Sequence, residues 1–439
     1  MVEAAYTPTI DQVIHRIAHP LQNQAHLDLL MESIGDARFV LLGEATHGTS
    51  EYYRWRAQLS QRLIVEKGFS FIAVEGDWPD CYRVNRYIKN YKDAGESAKE
   101  VLGAFERWPT WMWANWEVVA LVEWLRRHNA NAPEYQKVGF YGLDVYSLWE
   151  SLSEVTHYLE QNAPDALQAA YRAYGCFEPY EEDVHAYAYA TRFVPTSCED
   201  EVIDLLRETR RKSHLPHYDG DGEAMFNAEQ NARVAVGAER YYRTMIRGDA
   251  ESWNVRDQHM VDTLERLANH YGETTKAIVW EHNTHIGDAR ATPMAASGMM
   301  NVGQLVRERR NDDGVVLVGF GAHRGSVIAG RSWGAPMERM PVPEAYAESW
   351  EGVLHQTRGE DTLLVFSEDE QANEWFEQVR GHRAIGVVYD PHEGRRGGFV
   401  PTSLSRRYDS FIYLEETEAL HPLHIEAGHE VPETYPWGV

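Results

Sequence analysis

The chain has 439 residues, 43% hydrophobic and 25% charged, the balance of an ordinary folded protein with room for a large core. A formal net charge of −26 excludes nucleic acid and an anionic membrane as partners, since both need a basic surface. No stretch approaches the roughly 18 to 20 apolar residues that span a bilayer, and Met1 to Pro20 carries Glu3, Asp11, His15 and Arg16 where a signal peptide has an apolar run. Only Cys81, Cys176 and Cys198 are present; this odd, widely spaced set matches neither a disulfide framework nor a CxxC metal site and predicts a reducing, cytoplasmic compartment.

Short apolar runs bounded by turn residues predict strands at 38–43, 69–75, 137–143, 276–281, 314–320, 361–367, 383–389 and 409–415. Most are continuous, as in Val315-Val316-Leu317-Val318, which suits strands buried on both faces of a helix-covered sheet. Between the first two, Ser50 to Lys67 has helical spacing and stops at Gly68. From 147 to 271 no strand is convincing. Helical patterns fall instead at 147–161, 164–174, 199–213, 223–247 and 254–271. The expected fold is therefore α/β, a mostly parallel sheet covered by helices. Residues 1–146 and 272–439 form its core, and 147–271 is a helical insertion placed as a lid over the carboxyl ends of the strands.

Those ends carry the chemistry. The run to Gly43 leads into Glu44-Ala45-Thr46-His47-Gly48, the second into Glu75, and the fourth into Glu281-His282-Asn283-Thr284-His285. Ligands of open parallel sheets sit at the carboxyl ends of the strands, so Glu44, His47, Glu75, His282 and His285 predict one acid/base cluster. In Glu44-x-x-His47 the carboxylate can fix the imidazole tautomer while the other nitrogen acts as base, with Gly43 and Gly48 allowing close backbone approach. His282-x-x-His285 also suits a divalent metal. Nothing beyond ligand type favours one, and a metal-free site is the expectation. Arg56 either clamps a cluster carboxylate or is an exposed helix charge. Trp108, Trp111, Trp113 and Trp116 offer an aromatic wall for a large apolar substrate, or pack the insertion against the sheet. Gly330-Arg331-Ser332-Trp333-Gly334 matches G-x-S-x-G, but Pro336, Pro341 and Pro343 oppose the helix that a nucleophile elbow needs. The stretch Gly319 to Gly325 lacks nucleotide-binding spacing.

Taken together, Leu42-Gly43-Glu44-Ala45-Thr46-His47-Gly48, Arg56, Val74-Glu75-Gly76 and Trp280-Glu281-His282-Asn283-Thr284-His285 resemble the erythromycin esterase family, over nearly the whole chain. The resemblance implies hydrolysis of a carboxylic ester or lactone, in the best-known members the lactone of 14-membered macrolides. It implies His47 as the general base, Glu44, Glu75, His282 and His285 as orienting groups, and Arg56 as a positioning cation. By the same resemblance Asp144, in Gly142-Leu143-Asp144-Val145-Tyr146, and Asp257, in Asn254-Val255-Arg256-Asp257, are pocket residues. Trp111 and Trp113 are expected to touch a small-molecule ester or lactone. The rivals are a metal-dependent hydrolase built on the same residues and a binding protein whose cluster is a buried ion network.

Overall fold

The computed structural model describes residues 10–180, 184–193, 197–212, 222–245, 250–366, 370–392 and 398–424. Its strands are β1 (Ala18–Pro20), β2 (Phe39–Leu42), β3 (Phe71–Asp77), β4 (Gly139–Asp144), β5 (Ala277–Trp280), β6 (Val315–Gly330), β7 (Met337–Val342), β8 (Thr362–Val365), β9 (Arg380–Arg383), β10 (Phe399–Thr402) and β11 (Ser410–Thr417). The main sheet runs β1-β8-β11-β6-β2-β5-β3-β4, with β7 folded back on the distal half of β6. From β11 to β4 every neighbouring pair is parallel, and β8 and β1 add antiparallel pairs at one edge. The sheet is mixed but mostly parallel, as expected.

Continuous apolar strands arise because both faces are covered. Val40, Leu42, Ile72, Val74, Ile278 and Trp280 pack into one cluster, while the alternate residues Phe39, Leu41, Phe71, Ala73, Ala277 and Val279 pack into another. Fully burying each such aliphatic side chain contributes about 1.5–3 kcal/mol, which fixes the register because a one-residue slip exchanges the faces. Helix Ser50–Lys67 covers the first face with Tyr52, Tyr53, Leu59 and Leu63. It ends where Gly68 adopts φ 69° and turns its N–H back to the Leu63 and Ile64 carbonyls, a left-handed cap that suits glycine.

The run at 383–389 departs from expectation. Only Arg383 lies in a strand, and the rest crosses the strand ends through single bridges of Ile385 to Thr46 and Val388 to Gly330. A segment lying across a sheet cannot form a ladder with any one strand. The strands that escape notice, β1, β7 and β10, contain Pro20, Pro341 and Pro401, and proline reads as a strand breaker.

The segment between β4 and β5 is helical: Leu148–Asn162, Leu167–Phe177, Val184–Phe193, Glu199–Lys212, Ala224–Met245 and Ala250–Tyr271. Most of it has its own core, including Leu152, Val155, Leu159, Phe177, Leu205, Ala232 and Ala235. Helix Ala250–Tyr271 instead joins the sheet, with Met260, Val261, Leu264 and Leu267 in the second-face cluster. The cysteines require a correction. Cys176 and Cys198 form a disulfide between helix Leu167–Phe177 and the turn before Glu199–Lys212, leaving Cys81 free and buried. Their 22-residue separation was too wide for any motif to suggest the pairing, and the cysteines therefore no longer argue for a reducing compartment. Among the described residues no helix is long and apolar enough to cross a membrane.

Candidate active site

The turn after β2 is pinned on both sides. A Cβ at Gly43 would lie 2.0 Å from Asn283 Oδ1, and one at Gly48 would lie 1.9 Å from the Ile328 carbonyl, so close approach requires glycine at both positions. Asn283 ties the turn after β5 to its neighbours: its N–H donates to the Glu44 carbonyl at 2.9 Å, and its side-chain amide donates to the Phe320 carbonyl at 2.6 Å. The ends of β2 and β5 and the interior of β6 are thereby held in one place.

Within that frame His47 Nδ1 lies 2.8 Å from Glu44 Oε1. A carboxylate only accepts, so Nδ1 carries the proton and Nε2 is left with a lone pair. Arg56 donates from Nη2 to Glu44 Oε2 at 2.6 Å, with its guanidinium carbon 4.4 Å and 4.7 Å from the ring centres of Tyr53 and Trp280. Buried to 1% exposure, Arg56 is the carboxylate clamp and not a solvated helix charge. The His282 ring centre lies 4.8 Å from that of His47. Its Nδ1 accepts from the Thr284 N–H at 3.2 Å, which places the ring proton on Nε2. That nitrogen has no partner at hydrogen-bond distance among the described residues, although the Ala45 backbone is near enough to favour a proton on the ring.

Glu75, at the end of β3, joins the two halves. One oxygen accepts from the His282 backbone N–H at 2.8 Å; the other lies 4.0 Å from His47 Nε2 and 3.4 Å from His285 Nε2. The same oxygen accepts from Arg256 Nη2 at 2.7 Å. Arg256 also donates to both oxygens of Asp144, at 2.9 Å and 2.6 Å, and from Nη1 to His285 Nε2 at 3.0 Å. His285 therefore donates from Nδ1 to Asp257, 3.0 Å away, while Trp253 stacks on its ring at 4.6 Å. Of the five guanidinium protons of Arg256, four are engaged among the described residues and one on Nη1 remains.

These charges set the protonation states. Burial disfavours a charged His47, but the Glu75 charge and the Glu44 hydrogen bond outweigh it and raise its pKa above the ordinary value of 6.5. Burial likewise works against an ionised Glu75, yet the electropositive neighbours His285, His47 and Arg256 hold it far below the usual carboxylate range. Burial and the nearby His47 charge push His282 well down, so its imidazole is neutral at physiological pH. Glu281 is fully buried with neither carboxyl oxygen partnered among the described residues. Burial and then Glu75 raise its pKa well above the ordinary carboxylate value.

A cavity of about 630 Å³ opens over the cluster. His47, Glu75, Asp144, Arg256, His282 and His285 line it, with Phe105, Trp108, Trp113, Tyr146, Trp253 and Trp333 as an aromatic wall. Glu44, Arg56 and Asp257 stand behind the lining and contact it through His47 and His285. Trp111 does not line the cavity; it packs in the core against the edge of Trp108. Trp113 does line it, and its indole N–H donates to the Glu75 carbonyl at 3.0 Å. Ser332 is exposed in the turn after β6 with no helix following, so the nucleophile-elbow pattern is a chance match. Arg256, the central cation, stood unremarked in Asn254-Val255-Arg256-Asp257, because nothing in a helix of the insertion signals a strand-end site.

The erythromycin esterase family model matches residues 64–417. The chain belongs to the erythromycin esterase family. The matched region holds Glu75, Asp144, Arg256, His282 and His285, while Glu44, His47 and Arg56 lie just upstream of it. Erythromycin esterase type II of Escherichia coli is 28% identical over 344 residues, covering 72% of this chain and 76% of that relative. The fold matches that of a Bacillus cereus protein of known crystal structure, with TM-score 0.75 and 19% identity over 96% of this chain and 100% of the other. It also matches a mutant of the erythromycin esterase EreC in its open conformation, with TM-score 0.65 and 16% identity over 94% and 97%. Membership of this family supports hydrolase chemistry on a small-molecule ester.

Proposed function

We propose that the protein hydrolyses a large, mostly apolar carboxylic ester or lactone, with His47 as general base. The observation that carries this reading is the free lone pair of His47 Nε2, facing the cavity beside Glu75. A water about 2.8 Å from both Nε2 and Glu75 Oε1 fits their 4.0 Å separation with a near-right angle at its oxygen. His47 takes a proton from this water as its oxygen attacks the ester carbonyl. The resulting imidazolium then returns the proton to the departing alkoxide, so that one water and one ester give one acid and one alcohol. The remaining Nη1 proton of Arg256 supplies a positive dipole for the oxyanion. Arg56, which does not reach the cavity, positions Glu44 and hence the base.

The reading is metal-independent. Arg256 lies within hydrogen-bond distance of Glu75 and His285, where a cation shared by those two groups would otherwise sit. The aromatic wall and the cavity's size suit a bulky substrate, since small-molecule sites commonly run to about 300–1,000 Å³. A macrolide lactone is the candidate to which the names of the relatives point. Tyr241, Tyr242 and Met245 reach the cavity from the helical insertion, which acts in this proposal as a lid.

The test is mass spectrometry of macrolides and simple esters incubated with the wild type and with His47→Asn. A product heavier by one water, or the cleaved acid and alcohol, is expected only with the wild type, the variant losing about 10²–10⁴-fold in kcat. Equal turnover by the variant removes His47 as the base. Full wild-type activity after dialysis against a chelator is expected; activity that disappears and returns with added metal favours the metalloenzyme.

A further inference from the structure

Away from the cavity, three side chains converge where helix Trp350–Thr357 packs on the sheet. His323 lies on β6, Glu415 on the adjoining β11, and His355 in the last turn of that helix. The parallel register pairs Leu414 with Ala322 and Glu416 with Arg324, so His323 and Glu415 stand side by side on one face. One nitrogen or oxygen from each of the three residues lies within 4.8 Å of those of the other two. The two imidazoles stack with centres 3.8 Å apart. Glu415 Oε1 lies 2.7 Å from His355 Nδ1, and its other oxygen accepts from the Tyr413 hydroxyl at 2.6 Å.

His323 gives the cluster its meaning. It is 2% exposed, and neither ring nitrogen has a hydrogen-bond partner among the described residues. Buried polar atoms are nearly always satisfied, so two orphaned nitrogens on one ring call for a ligand. Glu415 and Glu344 favour positive charge at this ring. Arg383, which donates to the His323 carbonyl, opposes it. Asp361 adds a further carboxylate, accepting from the Glu415 N–H at 2.8 Å.

We propose that His323, His355 and Glu415 bind one divalent first-row transition ion of the Zn²⁺ type. Two imidazoles and a carboxylate are the borderline donors that such ions prefer, and water completes a four-coordinate shell. The His355 side chain is 41% exposed and can turn out of the stack to present a nitrogen, while His323 and Glu415 stay fixed by the sheet. Tyr413 orients the ligating carboxylate, as partners behind a metal ligand commonly do. The ion joins the helix to two strands. None of its three ligands lines the catalytic cavity, so the site is independent of the hydrolytic centre.

The test is titration of Zn²⁺ by calorimetry into the full-length, chelator-stripped protein, with thermal unfolding as a second readout. The wild type should bind one equivalent at this site and melt higher with Zn²⁺. His47→Asn should keep both effects. His355→Ala, at a partly exposed position that tolerates truncation, and Glu415→Gln should each weaken binding by about 100-fold and abolish the melting shift. Wild-type binding that fails to saturate by about 100 μM, unchanged binding in both site variants, or binding lost in His47→Asn but kept in His355→Ala would each overturn the assignment.

Discussion

As a base, His47 works only with its Nε2 proton off, and its neighbours make that proton harder to lose. Because Glu75 and Glu44 raise its pKa above 6.5, kcat/KM should climb with pH along a limb whose midpoint lies above that value. In Glu44→Gln a charge and a strong acceptor disappear, so the His47 pKa falls and the limb moves to lower pH, while the plateau rate drops as the ring loses its anchor. A pH–rate profile of both proteins checks the shift; a limb that stays in place means another group titrates there. At this scale the sequence was informative wherever a polar residue ended an apolar run, which is why Glu44, His47, Glu75, His282 and His285 could be named in advance. Arg256 offered no such cue: an arginine within a polar helix reads as solvated until folding places it against Glu75 and Asp144. Trp111 and Trp113 could not be separated either, since two residues of spacing in an irregular turn do not say which indole faces a cavity.

Helix Ala250–Tyr271 is the element that joins insertion to sheet, and Arg256 is its polar anchor. Removing the guanidinium leaves Glu75 and Asp144 buried without their partner, a loss that typically costs about 3–5 kcal/mol. Arg256→Met should therefore lower the denaturant midpoint strongly as well as the turnover. Arg256→Lys should recover part of the stability but less of the rate, because a lysine cannot engage Asp144 and Glu75 in the same fork. Parallel urea melts and initial rates separate these outcomes, and equal midpoints for wild type and Arg256→Met exclude the anchoring role. Continuous apolar strands and well-capped helices were legible because burial on two faces and helical spacing leave strong periodic marks. Helix Val184–Phe193 was not: its Ala-Tyr-Ala-Tyr-Ala core alternates with a strand-like period of two, and only packing against Phe177 and the helices around it decides the matter.

Over the whole molecule the charge is −26, and the cavity lining carries Glu75, Asp144 and Asp80, with the pKa of Asp77 raised by burial to about 7, against Arg107 and Arg256. An ester bearing a carboxylate should therefore react with lower kcat/KM than its neutral counterpart of the same size. The gap should narrow as added salt screens the field. A matched pair of esters assayed at low and high ionic strength tests this, and no salt dependence rules out a long-range cause. The order of strands in the sheet also has a temporal consequence. β5 lies between β2 and β3, although both emerge from the ribosome some two hundred residues earlier. Until residues 277–286 have been synthesised, β2 and the β3–β4 pair wait with open edges, the strands that flank β2 on its other side (β6, β11 and β8) are still to come, and the base has no histidine partners to face. Catalytic competence thus arrives late in translation, so a nascent chain cut short before its centre is filled is inert and exposes sticky β-edges to its neighbours.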